Sequence, residues 1–168
     1  MTAMPETVRS AVPEDAGAVA AIYSHYAVNT IITFEEEAVP EEAMRARMLE
    51  ITRSYPWLVA EDGAGVAGYA YAYPWKARAA YRHTVESGIY LRPDALGRGW
   101  GTRLYGELLH RLEDGGVHAV IAGIAMPNPA SIALHEKMGF VPCGRFPQVG
   151  FKLGRWIDVG YWGRILGE

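Results

Sequence analysis

Three glycines spaced two apart, Gly97, Gly99 and Gly101, lie where an alternating apolar run gives way to a helical one. Glycine lets the backbone approach a ligand closely, and the first N–H groups of a helix have no partner within it. Those N–H groups can bind a phosphate. The junction therefore indicates an anion site and a phosphate-bearing cofactor, with an ordinary glycine-rich turn as the alternative.

The residues of this loop disfavour two well-known nucleotide-binding motifs. The Walker pattern ends in Gly-Lys-Ser/Thr, whereas this loop ends in Trp100-Gly101-Thr102. The dinucleotide fingerprint needs one more glycine, at a position that holds Thr102 or Leu104 here, and it normally follows the first strand of a domain. A P-loop nucleotidase and a dinucleotide-dependent enzyme are both disfavoured.

The composition is that of a globular protein. Of the 168 residues, 50% are apolar and 21% are charged, which favours one folded domain over residues 1–168. The net charge of −3 argues against a nucleic-acid-binding surface and against a polybasic membrane patch. Small ligands are therefore the expected partners.

The compartment is predicted from what the sequence lacks. Cys143 is the only cysteine, so neither a disulfide within the chain nor a CxxC site can form. Residues 1–8 have no apolar signal-peptide core, and no run approaches the roughly 18 apolar residues of a membrane span. We therefore expect a cytoplasmic protein.

Apolar periodicity predicts the elements that position the glycine loop. Their order is β-α-α-β-β-β-α-β-α-β-β, a mixed α/β (α+β) domain with the loop between the fourth strand and the third helix. Residues 33–39 are predicted to be irregular. The predicted strands are 8–12, 57–61, 66–73, 84–91, 117–125, 141–145 and 152–166, and the predicted helices open at Pro13 and Pro40 and span 102–113 and 128–138.

Two segments in this order carry a specific resemblance. Pro93-Asp94 with Gly97-Arg98-Gly99-Trp100-Gly101, followed after a helix and a strand by residues 128–140, resembles the acetyl-CoA-binding core of the GNAT N-acetyltransferases, and the resemblance covers nearly the whole chain. Further segments resemble the phosphinothricin and methionine sulfoximine acetyltransferases: Ile22-Tyr23-Ser24-His25-Tyr26 with Asn29-Thr30, Pro74-Trp75-Lys76-Ala77-Arg78, Tyr81-Arg82-His83-Thr84-Val85-Glu86-Ser87, and Gly150-Phe151-Lys152 with Trp156-Ile157-Asp158-Val159-Gly160.

This resemblance implies a GNAT fold, with a central, mostly antiparallel sheet of about seven strands flanked by about four helices. It also implies acetyl-CoA as the donor. Leu96 departs from the family, which usually has Gln or Arg there, so any side-chain contact from that position is lost. The implied cofactor contacts are Ile89, Tyr90 and Leu91 for the pantetheine arm, Gly97, Arg98, Gly99, Trp100, Gly101 and Thr102 for the pyrophosphate, and Asn128.

Attack of an amine on a thioester requires a neutral amine, a stabilised oxyanion and a protonated thiolate. Glu86 is the predicted general base, acting directly or through one water, since an acid among Val85, Ile89 and Tyr90 has its pKa raised by desolvation. A solvated or paired glutamate is the alternative.

His135 stands where many GNAT enzymes carry a tyrosine proposed to protonate the departing thiolate. Histidine can do this near neutral pH, and a structurally hydrogen-bonded histidine is the equal alternative. The other histidines, at positions 25, 83, 110 and 118, lack metal-ligand spacing. We expect no metal.

The acceptor's anionic groups need cationic partners. The loop Lys76-Ala77-Arg78 matches the substrate loop of the family, although isolated loop charges are more often solvated. Aromatic residues here are candidates for pocket walls, core or dimer contacts, and the family resemblance implies a homodimer. The remaining predicted acceptor contacts are Phe34, Tyr81, Ser87, Gly88 and Val159.

The function that the resemblance implies is transfer of the acetyl group of acetyl-CoA to the α-amine of a small amino-acid analogue (phosphinothricin, methionine sulfoximine or methionine sulfone) by direct attack in a ternary complex. No acyl-enzyme is expected, because Cys143 lacks a catalytic context. Transfer to another small amine or to a peptide N-terminus is one alternative. A non-catalytic acyl-CoA-binding module is the other.

Overall fold

A computed structural model describes residues 6–167. Residues 1–5, part of the segment in which no signal peptide is predicted, lie outside this range. The described chain forms seven strands and four α-helices. The strands are β1 (Thr7–Ser10), β2 (Trp57–Asp62), β3 (Gly65–Pro74), β4 (Thr84–Leu91), β5 (Ala119–Ala125), β6 (Val141–Lys152) and β7 (Arg155–Ile165), and the helices are α1 (Ala16–Asn29), α2 (Glu41–Thr52), α3 (Trp100–Asp114) and α4 (Pro129–Lys137).

The strands form one sheet in the order β1-β2-β3-β4-β5-β7-β6. Within it β4 and β5 run parallel, while the other neighbouring pairs are antiparallel. Both the order of elements and the mostly antiparallel mixed sheet confirm the sequence prediction.

The parallel pair separates part-way along β4. Residues Thr84, Val85 and Glu86 pair with β5, whereas β3 remains paired with β4 as far as Leu91. From Ser87 onward the side of β4 that faces β5 is therefore outside the ladder. Unpaired strand edges offer N–H and C=O groups to an extended ligand. A cleft opens here in the middle of the sheet.

Helices cover both faces of the sheet because strand residues alternate between them. On β2, Leu58 and Ala60 belong to the core under α3, while Trp57 and Val59 belong to the core under α1 and α2. The leucines of α3 fill the first core. The loop between α1 and α2, residues 30–40, reaches over the cleft.

The end of the chain differs from the sequence prediction. We expected strands over 141–145 and 152–166, but β6 continues to Lys152 and β7 begins at Arg155. Leu153 and Gly154 form the turn between them with φ of 51° and 75°, and leucine is rare in that conformation. An irregularity near Gln148 also interrupts the alternation of β6.

Two helix starts also differ. Pro13–Asp15 form a single 3₁₀ turn ahead of α1, where the sequence predicted the start of the helix. Such turns are frequent at the N-termini of α-helices. The third helix begins at Trp100, two residues before its predicted start, directly after Gly99. The earlier start brings the first N–H groups of α3 into the glycine loop. No helix in the described part of the chain is long and apolar enough to cross a membrane.

Candidate active site

The cleft in the sheet continues into a groove of about 370 Å³ beside the glycine loop. We call it the donor groove. It contains the predicted cofactor residues other than Arg98 and Trp100. Its lining residues are Tyr26, Ile32, Ile89, Tyr90, Leu91, Leu96, Gly97, Gly99, Gly101, Thr102, Asn128, Ala130, Ser131 and Leu134.

The backbone of the glycine loop determines where its N–H groups lie. Gly97 and Gly99 have φ of 72° and 84°, and a Cβ built on either would meet nothing within 4 Å. These positions need glycine for its left-handed backbone and not for lack of space. Because α3 opens immediately after Gly99, its first N–H groups, which have no partner within the helix, are available to an anion at the groove.

The two predicted cofactor residues outside the lining have other partners. The Arg98 guanidinium lies 3.3 Å from a carboxylate oxygen of Asp62 and 3.6 Å from one of Glu6. The Trp100 side chain is 1% exposed in the core, with the Arg103 guanidinium 4.4 Å from its ring centre. Trp100 therefore offers a ligand only its backbone.

A second cavity, of about 380 Å³, adjoins the donor groove. We call it the polar cavity. It brings together six of the predicted catalytic and acceptor-binding residues: Phe34, Glu86, Ser87, Gly88, His135 and Val159. The residues that line both spaces are Ile32, Ile89, Tyr90, Asn128 and Ser131. A ligand in the groove can thus reach one in the cavity. The other lining residues of the polar cavity are Thr33, Tyr71, Tyr73, Gly123, Ile124, Ala125, Val149 and Tyr161.

Glu86 lies where the sheet divides. It is the last β4 residue paired with β5, and it sits opposite Tyr73 of β3. A Cβ built on Gly123 would come within 3.5 Å of its carboxylate, so glycine at 123 leaves room for this side chain. Burial raises the pKa of Glu86, while the Tyr73 hydroxyl and the Lys76 charge act in the opposite direction. A carboxylate of this kind is suited to accept a proton.

His135 is 4% exposed and ends a chain of hydrogen bonds. Its Nδ1 lies 2.7 Å from the carbonyl oxygen of Ser131, and its Nε2 lies 2.9 Å from the hydroxyl of Tyr105. The Tyr105 hydroxyl is in turn 2.6 Å from Oγ of Ser87. Since a carbonyl only accepts, Nδ1 carries the proton and Nε2 accepts from Tyr105. Burial lowers the pKa of His135, which favours this neutral form.

Comparison with known proteins places this geometry in a family. Residues 19–140 match the acetyltransferase (GNAT) family. A phosphinothricin acetyltransferase from Sinorhizobium meliloti, solved in complex with AcCoA, superposes with a TM-score of 0.93 at 42% identity, covering 98% of this chain and 90% of that one. The chain belongs to the GNAT acetyltransferase family.

Two curated relatives agree with this assignment. Phosphinothricin N-acetyltransferase of Streptomyces viridochromogenes is 40% identical over 160 residues, which cover 95% of this chain and 87% of that protein. The L-methionine sulfoximine/L-methionine sulfone acetyltransferase of Salmonella typhimurium is 35% identical over 159 residues, which cover 92% of this chain and 91% of that protein. The predicted family and the predicted acetyltransferase activity are confirmed.

One predicted part of this GNAT acetyltransferase stays outside the polar cavity. Lys76, Ala77, Arg78 and Tyr81 are exposed, and none of them lines the cavity. Trp75 holds this loop, with the Lys76 ammonium 5.3 Å from its ring centre and the Tyr81 ring edge-on to it at 5.2 Å. The loop lies beside the cavity, because it follows the end of β3, where Tyr73 pairs with Glu86; we call this side the mouth of the cavity.

The sequence reasoning did not single out Tyr105, which joins His135 to Ser87. Tyr105 is fully buried on the core face of α3. A buried tyrosine hydroxyl usually has a hydrogen-bond partner, and that was the available signal. Its partners come from β4 and α4, so the sequence could not identify them. No three metal-ligating side chains cluster within residues 6–167.

Proposed function

We propose that this acetyltransferase moves the acetyl group of acetyl-CoA to the α-amine of a small amino-acid analogue, by direct attack in a ternary complex. Phosphinothricin, methionine sulfoximine and methionine sulfone are the proposed acceptors, in keeping with the names of the curated relatives. The observation that carries the proposal is the continuity of the donor groove with the polar cavity beside Glu86. The chain acts as one catalytic domain.

The donor groove fits acetyl-CoA in two places. The N–H groups of the glycine loop and the first turn of α3 bind the pyrophosphate, as backbone groups at a helix start do. The free edge of β4 from Ser87 to Leu91 pairs with the amides of the pantetheine arm. The thioester then reaches Ile89 and Tyr90, which also line the polar cavity.

Glu86 takes a proton from the acceptor's ammonium, directly or through one water. The neutral nitrogen then attacks the thioester carbonyl, and the C–S bond breaks as the C–N bond forms. In this step the amine nitrogen loses one proton and the CoA thiolate gains one. Transfer from the neutral amine therefore consumes no proton overall. Both ring nitrogens of His135 are engaged, and His135 therefore positions Tyr105 and Ser87.

Charge favours some acceptors over others. Tyr71, Tyr73 and Tyr161 line the polar cavity together with Glu86, and no lysine or arginine appears among its described lining residues. Lys76 and Arg78 remain for the α-carboxylate at the mouth. A neutral sulfone or sulfoximine accepts hydrogen bonds from tyrosine hydroxyls, whereas an anionic phosphinate lacks a cation there. Methionine sulfone and sulfoximine are therefore preferred to phosphinothricin.

The decisive experiment measures CoA release with acetyl-CoA and a panel of the three analogues, ordinary amino acids, small amines and a peptide. Turnover of the analogues, with kcat/KM for methionine sulfone about tenfold above that for phosphinothricin, is expected from roughly 1.4 kcal/mol of preference.

Arg78→Ala is expected to raise KM for the analogues, and Arg82→Ala, which changes an exposed neighbour, is its control. Turnover of the peptide alone supports the first alternative, and cofactor binding without turnover supports the non-catalytic module.

An apolar surface on the last hairpin supports a homodimer. Seven large apolar side chains of this hairpin are exposed, and exposed apolar surface can mark an interface. They are Val141, Phe146, Val149, Phe151, Leu153, Trp156 and Ile165. Light scattering is expected to give the mass of a dimer for the wild type and of a monomer for Trp156→Ser. A wild-type monomer at micromolar concentration contradicts the dimer.

The cytoplasm is the proposed location, since the single cysteine forms no internal disulfide.

A further inference from the structure

Lys152, the last residue of β6, binds the loop between α1 and α2. Its side chain is buried, with the residue 2% exposed. The ammonium donates to the carbonyl oxygen of Thr33 at 2.7 Å and to that of Glu35 at 2.6 Å. These bonds join positions 119 and 117 residues apart. One side chain thus ties the edge of the sheet to a distant loop.

The same loop forms one wall of the polar cavity. Ile32, Thr33 and Phe34 all line that cavity. Phe34 packs over Gly150 of β6, where a Cβ would come within 2.5 Å of its ring. Gly150 and Lys152 lie two residues apart and are both buried, so they face the loop from the same side of the strand. The strand therefore contacts the wall at two adjacent points.

Contacts within the helical layer hold the other side of the loop. The Tyr23 hydroxyl lies 2.7 Å from Oγ1 of Thr33. The Glu35 carboxylate receives two bonds from Arg47, at 2.8 and 2.6 Å. These partners lie on α1 and α2, which the loop itself joins. They fix the loop to its own helices, whereas Lys152 fixes it to the sheet.

Burying the Lys152 ammonium here is energetically unfavourable, and an uncharged side chain could fill the same space. Burial disfavours the charged form and lowers the pKa of Lys152, while Glu35 and Glu36 act in the opposite direction. Methionine has a similar length and fills the volume without a charge. What methionine lacks is the pair of charge-assisted hydrogen bonds to the carbonyl oxygens. The charge therefore serves to hold the loop.

We propose that Lys152 is a positioning residue that fixes the Phe34 wall of the polar cavity and so controls acceptor binding. This inference rests on the proposed function, because the acceptor is placed in that cavity. Lys152 touches neither donor nor acceptor. It acts through the backbone of Thr33 and Glu35. Of residues 30–40 only Ile32 also lines the donor groove, whereas the glycine loop and the first turn of α3 lie outside this loop.

The test compares Lys152→Met with Lys137→Met, which removes an exposed lysine of α4. In Lys152→Met, KM for methionine sulfone is expected to rise about tenfold while KM for acetyl-CoA stays within about twofold. Amides of residues 31–35 are expected to exchange hydrogen faster in Lys152→Met. Lys137→Met is expected to match the wild type in all three measurements.

A second variant covers the case in which Lys152→Met does not fold. Gly150→Ala places a methyl group against the Phe34 ring and keeps the ammonium, and it is expected to raise KM for the acceptor selectively. An unchanged KM for the acceptor in the folded variants overturns the proposal. If the wild type acetylates none of the acceptors, the proposed function fails. In that case hydrogen exchange still tests the role of Lys152 separately. Unchanged exchange of the amides of residues 31–35 in Lys152→Met overturns its positioning role.

Discussion

The hydroxyl of Tyr105 lies 2.9 Å from Nε2 of His135, and this contact sets the direction of a buried hydrogen-bond chain. Nδ1 of His135 donates to the Ser131 carbonyl, so Nε2 must accept. Tyr105 therefore donates to His135 and accepts from Ser87. Ser87 lines the polar cavity, and its hydroxyl oxygen can still accept a hydrogen bond from the molecule that receives the acetyl group. Tyr105, which does not itself line the polar cavity, thus determines what the Ser87 hydroxyl offers in the cavity wall.

Replacing Tyr105 by Phe is expected to lower the free energy of unfolding by about 1–3 kcal/mol, since Nε2 of His135 and the Ser87 hydroxyl lose a partner. Urea unfolding measures the change, with Tyr55→Phe between α2 and β2 as the control. Nitrogen NMR of the wild type is expected to show the Nδ1–H tautomer of His135. Wild-type stability in Tyr105→Phe, or the opposite tautomer, contradicts the chain as described.

Glu86→Gln is expected to lower kcat by about 10²- to 10⁴-fold, as the loss of a general base does. KM for acetyl-CoA is expected to change by less than about twofold, because Glu86 lies outside the donor groove. CoA release measures both quantities. Glu14→Gln, an exposed acid ahead of α1, is the matched control. A kcat close to that of the wild type removes Glu86 from the role of base.

The same variant tests the environment of Glu86 through stability. Burial raises its pKa in the folded chain, so between the unfolded and folded pKa values the folded state binds more protons. The free energy of unfolding then falls as the pH rises through this interval, and the loss is complete above the folded pKa. Gln does not ionise. Glu86→Gln is therefore expected to gain stability relative to the wild type as the pH rises above the ordinary glutamate pKa of about 4.3.

Thermal unfolding at a series of pH values measures this difference. Glu14→Gln, at an exposed position, serves as the control for removing a carboxylate. A constant difference between Glu86→Gln and the wild type over the whole range shows that the carboxylate is not desolvated.

Gly99→Ala tests the glycine loop. The left-handed φ of 84° is unfavourable for alanine by about 1–2 kcal/mol. Any relaxation moves the N–H groups that open α3, so KM for acetyl-CoA is expected to rise while KM for the acceptor does not. Gly63→Ala is the control, because its Cβ also meets open space and its backbone is not left-handed. Equal KM values for acetyl-CoA in the two variants contradict a backbone-built pyrophosphate site.

The sequence by itself determined the order of the elements, the glycine loop and the base candidate Glu86. Each of these depends on neighbouring residues, such as apolar alternation, helical spacing or a short motif, and such patterns survive without the fold. The sequence was less successful with β6, because Gln148 and Leu153 adopt left-handed backbones that their residue types do not predict.

Only the tertiary structure decided which distant groups meet. Periodicity shows that His135 and Lys152 belong to regular elements. It cannot show that His135 bonds to Tyr105, or that Lys152 bonds to the carbonyl oxygens of Thr33 and Glu35. Nor could it show that Lys76 and Arg78 stay outside the polar cavity. Hydrogen bonds between remote segments depend on how the strands and helices pack, and that packing is a property of the whole chain.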